Sequence, residues 1–172
     1  MVDRGSSKLM PSEEEPVVER LRELGIEFTR HEHPPVATVA EAEAHWADID
    51  ATHCKNLFLR NQKGSRHYLV ILPAAKQADL RAVAAQVGDG KLSFASPERL
   101  KTYLGVTPGS VSPFGLIHDR DRHVRVVLDR DLKSASRISF HPNINTVTFT
   151  LLYRDFQKFL DRCGNIVQYV TI

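Results

Sequence analysis

The chain has 172 residues, 42% of them hydrophobic, which is enough apolar surface for one domain core without disulfides or a structural metal. A net charge of +2, from 23 basic and 21 acidic side chains, excludes a protein held on nucleic acid by bulk electrostatics, so any RNA contact must be local and DNA is not an expected partner. The longest apolar stretches, Tyr68 to Ala75 and Val124 to Leu128, fall far below the roughly 20 residues of a membrane span, and no signal-peptide pattern opens the chain. With Cys54 and Cys163 read as two reduced thiols, these features predict a soluble, cytoplasmic protein with no membrane partner.

Residues 1–12 are polar and aperiodic and read as a disordered lead, with one domain over 13–172. Ser12 and Glu15 have capping-box spacing, and Val17, Val18, Leu21 and Leu24 recur at helical spacing until Gly25, which predicts a helix over Glu13 to Leu24. A short strand follows at Ile26 to His31, then a loop holding Pro34 and Pro35. Thr38 and Glu41 repeat the capping box ahead of a helix over Val39 to Trp46. Lys55 to Arg60 and His67 to Leu72, joined by the turn-rich Asn61 to Ser65, predict a hairpin. Helices are predicted at Asp79 to Val87, before Gly88, and from the Ser96-Pro97 cap to Leu104. Gly105 to Gly115 reads as a glycine- and proline-rich loop. Strands follow at His123 to Leu128 and Thr146 to Leu151, a helix near Arg154 to Arg162, and a last strand at Ile166 to Val170. Strands and helices mix without strict alternation, so the expected class is α+β (α/β) with a mixed sheet; no phosphate-loop or dinucleotide fingerprint is present, and no cofactor is expected.

Chemistry-bearing residues are sparse. His31, His33, His53 and Cys54 are possible zinc ligands by type, but they lie at strand ends without a C-x-x-C knuckle or a helical histidine pair, so no metal is expected. Cys54 beside Lys55 suggests an activated thiol, yet neighbours on a strand face opposite sides, and a small core side chain is the plainer reading. The G-x-S-x-G elbow of serine hydrolases is absent. Three segments remain: Lys55-Asn56 at a strand start, the loop Pro108 to Gly115, and His141-Pro142-Asn143-Ile144-Asn145 before a strand. Taken singly they read as a solvated charge, a turn and a loop.

In combination and order these segments resemble the YbaK and prolyl-tRNA synthetase editing-domain family of aminoacyl-tRNA deacylases. The resemblance runs from about Pro16 to Ile172 and rests on Gly25 to Val36, Cys54-Lys55-Asn56-Leu57-Phe58-Leu59, Tyr68-Leu69-Val70-Ile71, the G-x-x-x-P motif Gly109 to Pro113 with Phe114-Gly115-Leu116, and His141-Pro142-Asn143. Within the family these runs look most like the free-standing deacylases that remove alanine from tRNA(Pro). The resemblance implies a mixed sheet curved toward a barrel with surrounding helices, and ester hydrolysis by a placed water without a protein nucleophile. Carried onto this sequence, it makes Lys55 a contact to the terminal nucleotide, Gly109 a main-chain element of the catalytic pocket, and His141 a pocket residue, with the ribose hydroxyl of the substrate assisting the water. Asn56, Pro34, Val36, Ser110, Ser112, Pro113 and Asn143 are then expected around the substrate.

One methylene is worth only about 1–3 kcal/mol in a binding pocket, so a synthetase site built for proline admits alanine, and a second, smaller site must reject proline by size. The rigid Pro34-Pro35-Val36 segment and the Pro108 to Pro113 loop are candidate walls. The expected partner is alanine-charged tRNA(Pro), with prolyl-tRNA synthetase a further candidate. Arg20, Arg22, Arg60, Lys63 and Arg66 are candidate tRNA contacts, against the reading that they form a solvated face. Two rivals stand beside this expectation: a family member acting on Cys, Ser or Thr esters, and a catalytically silent tRNA-binding module.

Overall fold

The computed structural model describes residues 12–172, so the expected lead, Ser12 excepted, lies outside the described residues. In chain order the elements are α1 (Glu15–Glu23), β1 (Thr29–Glu32), α2 (Val39–Trp46), β2 (Thr52–Asn61), β3 (His67–Pro73), α3 (Leu80–Val87), β4 (Leu92–Phe94), α4 (Pro97–Leu104), β5 (Arg125–Asp129), β6 (Arg137–Phe140), β7 (Val147–Leu152), α5 (Tyr153–Cys163) and β8 (Val167–Val170). Short 3-10 turns occupy Pro113–His118 and Arg130–Ser134. The strands form one mixed sheet in the order β1-β7-β6-β2-β3-β5-β8, with β4 added to β2.

The helix signals act through identifiable bonds. Thr38 Oγ1 accepts from the Glu41 amide at 3.2 Å and Glu41 Oε2 accepts from the Ala37 amide at 2.7 Å, so the capping box starts α2 at Val39. Asp79 and Ser96 cap α3 and α4, and Gly88, Gly105 and Gly164 end α3, α4 and α5 in the left-handed conformation that glycine adopts at little cost. Ser12 behaves differently from its capping-box reading. Its carbonyl, not its side chain, accepts from the Glu15 amide, the N-cap is Glu14 without a side-chain cap bond, and α1 begins at Glu15 with Pro16 in its first turn. Glu14 instead binds the Arg30 guanidinium, with Nη2 to Oε2 at 3.1 Å.

Two apolar layers sandwich the sheet. The larger gathers α1, α5, the 3-10 turn at Pro113–His118 and one sheet face, around Leu21, Phe114, Phe149, Phe156 and Phe159, all fully buried. Each such side chain contributes roughly 1.5–3 kcal/mol of burial. The smaller layer packs α3, through Val83 and Ala84, on Leu59, Tyr68, Val70, Leu72 and Val127 of the other face.

The feature that shapes the functional region lies on β2. One edge pairs antiparallel with β3 over Cys54 to Arg60. The opposite edge changes partner along its length: Thr52 and His53 pair in parallel with β6, while Leu59 to Asn61 pair with β4. The Ala95 amide closes on the Phe58 carbonyl at 2.9 Å. Between these contacts, residues 54–57 meet no strand on that edge among the described residues. The sheet therefore splits beside Lys55 and Asn56.

Candidate active site

A cavity of about 240 Å³ opens at the split, lined by Val36 to Val39, Ala42, Trp46, Cys54, Lys55, Asn56, Gly109, Val111 and His141. Four separate chain segments meet there: the loop into α2 together with α2 itself, the unpaired stretch of β2, the loop before Pro113, and the start of the turn between β6 and β7. Lys55, Asn56, Gly109, His141 and Val36 are thus brought to one hollow.

Each polar group in the cavity has unused capacity. Lys55, a half-buried residue, has no ion pair among the described residues, so its ammonium is available to an anion. Asn56 Oδ1 is buried with no hydrogen-bond partner among the described residues, an arrangement that costs about 1–3 kcal/mol when nothing fills it. The His141 ring lies 2.8 Å, through Nδ1, from the Val147 carbonyl. A carbonyl only accepts, so Nδ1 carries the hydrogen and Nε2 presents its lone pair. Burial lowers the His141 pKa below the ordinary imidazole value, reinforced by nearby His33 and opposed by the Val147 carbonyl, which keeps the ring neutral at pH 7. The apolar wall is formed by Val36, Val39, Ala42 and Val111.

Gly109 sits at φ +88, in the left-handed region, and a Cβ built there would meet only Asn145 Nδ2, at 3.9 Å. The backbone conformation, not crowding by protein atoms, is what calls for glycine. Among the described residues the Gly109 amide donates to no backbone carbonyl, whereas the next amide, Ser110, closes a turn on the Thr107 carbonyl at 3.0 Å. Gly115, two residues beyond Pro113, is a case of crowding: a Cβ there would come within 2.9 Å of the Leu104 carbonyl of α4.

The other expected substrate residues lie outside the lining. Pro34 is exposed, and its carbonyl contacts His33 Nδ1 at 2.9 Å. Ser110 is buried; Ser112 caps the 3-10 turn by accepting from the Phe114 amide at 3.1 Å; Pro113 opens that turn. They hold the loop that carries Gly109 and Val111. Asn143 is buried at φ +64, and neither of its amide atoms has a partner among the described residues. Asn145, named within the His141 segment but given no role from sequence, ties the loop around Val36 in place: its Nδ2 donates to the Val36 carbonyl at 3.3 Å and its carbonyl accepts from the Val36 amide at 3.4 Å. Sequence marked α2 only by its Thr38–Glu41 capping box and gave no sign that Val39, Ala42 and Trp46 line the cavity.

Cys54 is a wall residue. Burial pushes its thiol well above the usual range, with the Asp129 carboxylate adding to the shift, so it is held as an unreactive thiol. Among the described residues no three His, Cys, Asp or Glu side chains converge as metal ligands.

None of the candidate tRNA residues lines the cavity. Arg20 and Arg22 lie on α1, Arg20 beside Glu23 at 3.5 Å. Arg60, Lys63 and Arg66 cluster at the far end of the β2–β3 hairpin, with Arg66 near Asp89 at 3.7 Å. Lys55 and Arg60 are five residue steps apart on β2, about 17 Å at the usual rise.

The sequence and the fold both have relatives. Residues 33–159 match the family described as the aminoacyl-tRNA editing domain. The chain is 41% identical to the prolyl-tRNA editing protein ProX of Acetoanaerobium sticklandii, covering 91% of this chain and 95% of that protein. It is 34% identical to the prolyl-tRNA synthetase associated domain-containing protein 1 of Bos taurus, over 86% of this chain and 88% of that one. A crystal structure of a candidate trans-editing enzyme for prolyl tRNA synthetase superposes with a TM-score of 0.68 at 22% identity, covering 95% of this chain and 99% of that one, a likeness of fold. The chain belongs to the aminoacyl-tRNA editing domain family.

Proposed function

We propose that this protein hydrolyses alanine from mischarged tRNA(Pro), with the ester held in the cavity at the β2 split. Membership of the editing family makes it an aminoacyl-tRNA hydrolase; alanine and tRNA(Pro) are the finer assignment, supported by the likeness to a prolyl-tRNA editing relative. The observation that carries the reading is the set of unused groups in one hollow: an ammonium, a buried carbonyl oxygen without a donor, a neutral imidazole with a free lone pair and a glycine amide.

These groups match the charges of an aminoacyl ester. Lys55 attracts a phosphate of the terminal nucleotide as a point charge. Asn56 Oδ1 accepts from the α-ammonium of the amino acid. The methyl of alanine lies against Val36, Val39, Ala42 and Val111, where the added ring atoms of proline collide. Water attacks the ester carbonyl, the Gly109 amide donates to the developing oxyanion, and the bond to the ribose oxygen breaks. The proton of the attacking water passes to the neighbouring ribose hydroxyl, which gives its own proton to that leaving oxygen, while His141 Nε2 accepts a hydrogen bond from the second hydrogen of the water and orients it. The products are alanine and tRNA with a free 3′ end. Contacts from Arg20, Arg22, Arg60, Lys63 and Arg66 to the acceptor stem, cytoplasmic location and docking on prolyl-tRNA synthetase belong to the same proposal.

A panel of charged tRNAs tests the assignment. Release of alanine from tRNA(Pro), with proline on the same tRNA left intact, is the expected result. Preferential release of serine, threonine or cysteine would move the specificity within the family, and tight tRNA binding with no release of any amino acid would favour the silent module.

A further inference from the structure

Trp46 is the one tryptophan of the chain, and the editing chemistry leaves it without a role. It ends α2, and its indole lies flat on the His53 imidazole, with centroids 4.4 Å apart and planes within 1° of parallel. The His53 ring is fixed from behind by its Nδ1, 2.6 Å from Ser139 Oγ on β6. The pair is therefore a rigid, two-ring surface anchored to the sheet. One feature argues that it does more than pack α2: Trp46 is only half-buried and lines the cavity, so part of its indole is open to a ligand.

The position fits a nucleobase. His53 and Lys55 are two residues apart on β2 and face the same side, about 7 Å from each other. A ring laid on Trp46 would place the attached sugar and phosphate within reach of the Lys55 ammonium, while the amino acid end enters between Gly109 and His141. We infer that the Trp46–His53 pair is a stacking platform for the purine base of the terminal nucleotide, so that the site reads a nucleoside and not only an aminoacyl group. The inference rests on the editing function proposed above, because that function puts a nucleotide beside Lys55.

A single tryptophan makes the test direct. Emission of Trp46 is followed while 5′-AMP, 5′-UMP or inorganic phosphate is added to the intact protein, and hydrolysis of the preferred aminoacyl-tRNA is measured on the wild type, Trp46→Phe and Trp46→Leu. Saturable quenching by 5′-AMP, weaker quenching by 5′-UMP and none by phosphate are expected. Removing the ring in Trp46→Leu should raise KM by roughly 5- to 150-fold, the usual worth of one stacked base, with kcat within about threefold of wild type and Trp46→Phe recovering most of the loss. No quenching by 5′-AMP, or a Trp46→Leu KM equal to wild type, with hydrolysis intact, would overturn the platform and leave the editing function standing. Base-selective quenching by a protein that hydrolyses no aminoacyl-tRNA would uphold the platform and remove the editing function.

Discussion

Replacing Asn56 by leucine separates a site residue from a structural one, because the two roles predict opposite changes in stability. Asn56 Oδ1 is buried without a partner among the described residues, so it stands as an unsatisfied acceptor. An apolar side chain of similar size removes that cost, taken as about 1–2 kcal/mol because the remainder of the residue is only half-buried. For a chain of this size the gain corresponds to a melting temperature higher by roughly 2–8 °C. The same change deletes the proposed acceptor for the substrate ammonium. Loss of a hydrogen bond to a charged group, about 1.5–3 kcal/mol, lowers kcat/KM by roughly 10- to 150-fold. Calorimetry and single-turnover deacylation on the same preparation measure both. A lower melting temperature with full activity would show that the amide supports the fold and does not bind the substrate.

Gly109→Ala should cost about 1–2 kcal/mol, because φ +88 is strained for any residue with a Cβ, and should lower hydrolysis more than tRNA affinity; equal losses in both would place the effect on folding alone. His67 is fully buried, with Nδ1 2.8 Å from His123 Nε2 and Nε2 3.0 Å from the Arg99 guanidinium, and burial, with His123 and Arg99 adding to it, pushes its pKa down to about 4. The unfolded chain binds a proton near the ordinary pKa of 6.5 and the folded one does not, so stability is full at neutral pH and falls as pH drops from about 6.5 toward 4, by about 2 kcal/mol at pH 5. Urea titrations of the wild type and His67→Phe should show this slope reduced in the variant; parallel profiles would refute it. Charge reversal at Arg20 and Arg22 should weaken tRNA binding more than it slows hydrolysis at saturation, and unchanged affinity at physiological salt would remove α1 from the contact surface.

Local signals carried much of the fold. Thr38 with Glu41, Gly88 and Ser96 mark α2, α3 and α4 because caps are short-range chemistry, while Asp79, expected as the first helical residue, and Gly105, expected as the start of a loop, serve as caps as well. Ser12 had the same spacing and failed as a side-chain cap, since a proline-opened helix took Glu14 as its N-cap instead. Neither β4 nor β6 was visible. They span three and four residues and are held by distant partners: β4 by β2, and β6 chiefly by β7 over four residue pairs, with Thr52 and His53 of β2 on its other edge. The gap between them, which makes the cavity, is a consequence of pairing that no local pattern encodes. Lys55, Asn56, Gly109 and His141 were named from family likeness, while the walls supplied by Val39, Ala42, Trp46 and Val111 depend on how α2 and the loop before Pro113 fold over β2. Ser112 and Pro113 are similarly instructive: the motif that marks the family works here by setting the 3-10 turn behind Gly109.

The most direct test of the hydrolytic cavity is single-turnover release of alanine from tRNA(Pro) by the wild type and by Lys55→Ala at equal tRNA occupancy. The account predicts rapid release by the wild type, proline on the same tRNA untouched, and a rate lower by roughly 100-fold or more in the variant. Release by Lys55→Ala at the wild-type rate would contradict it.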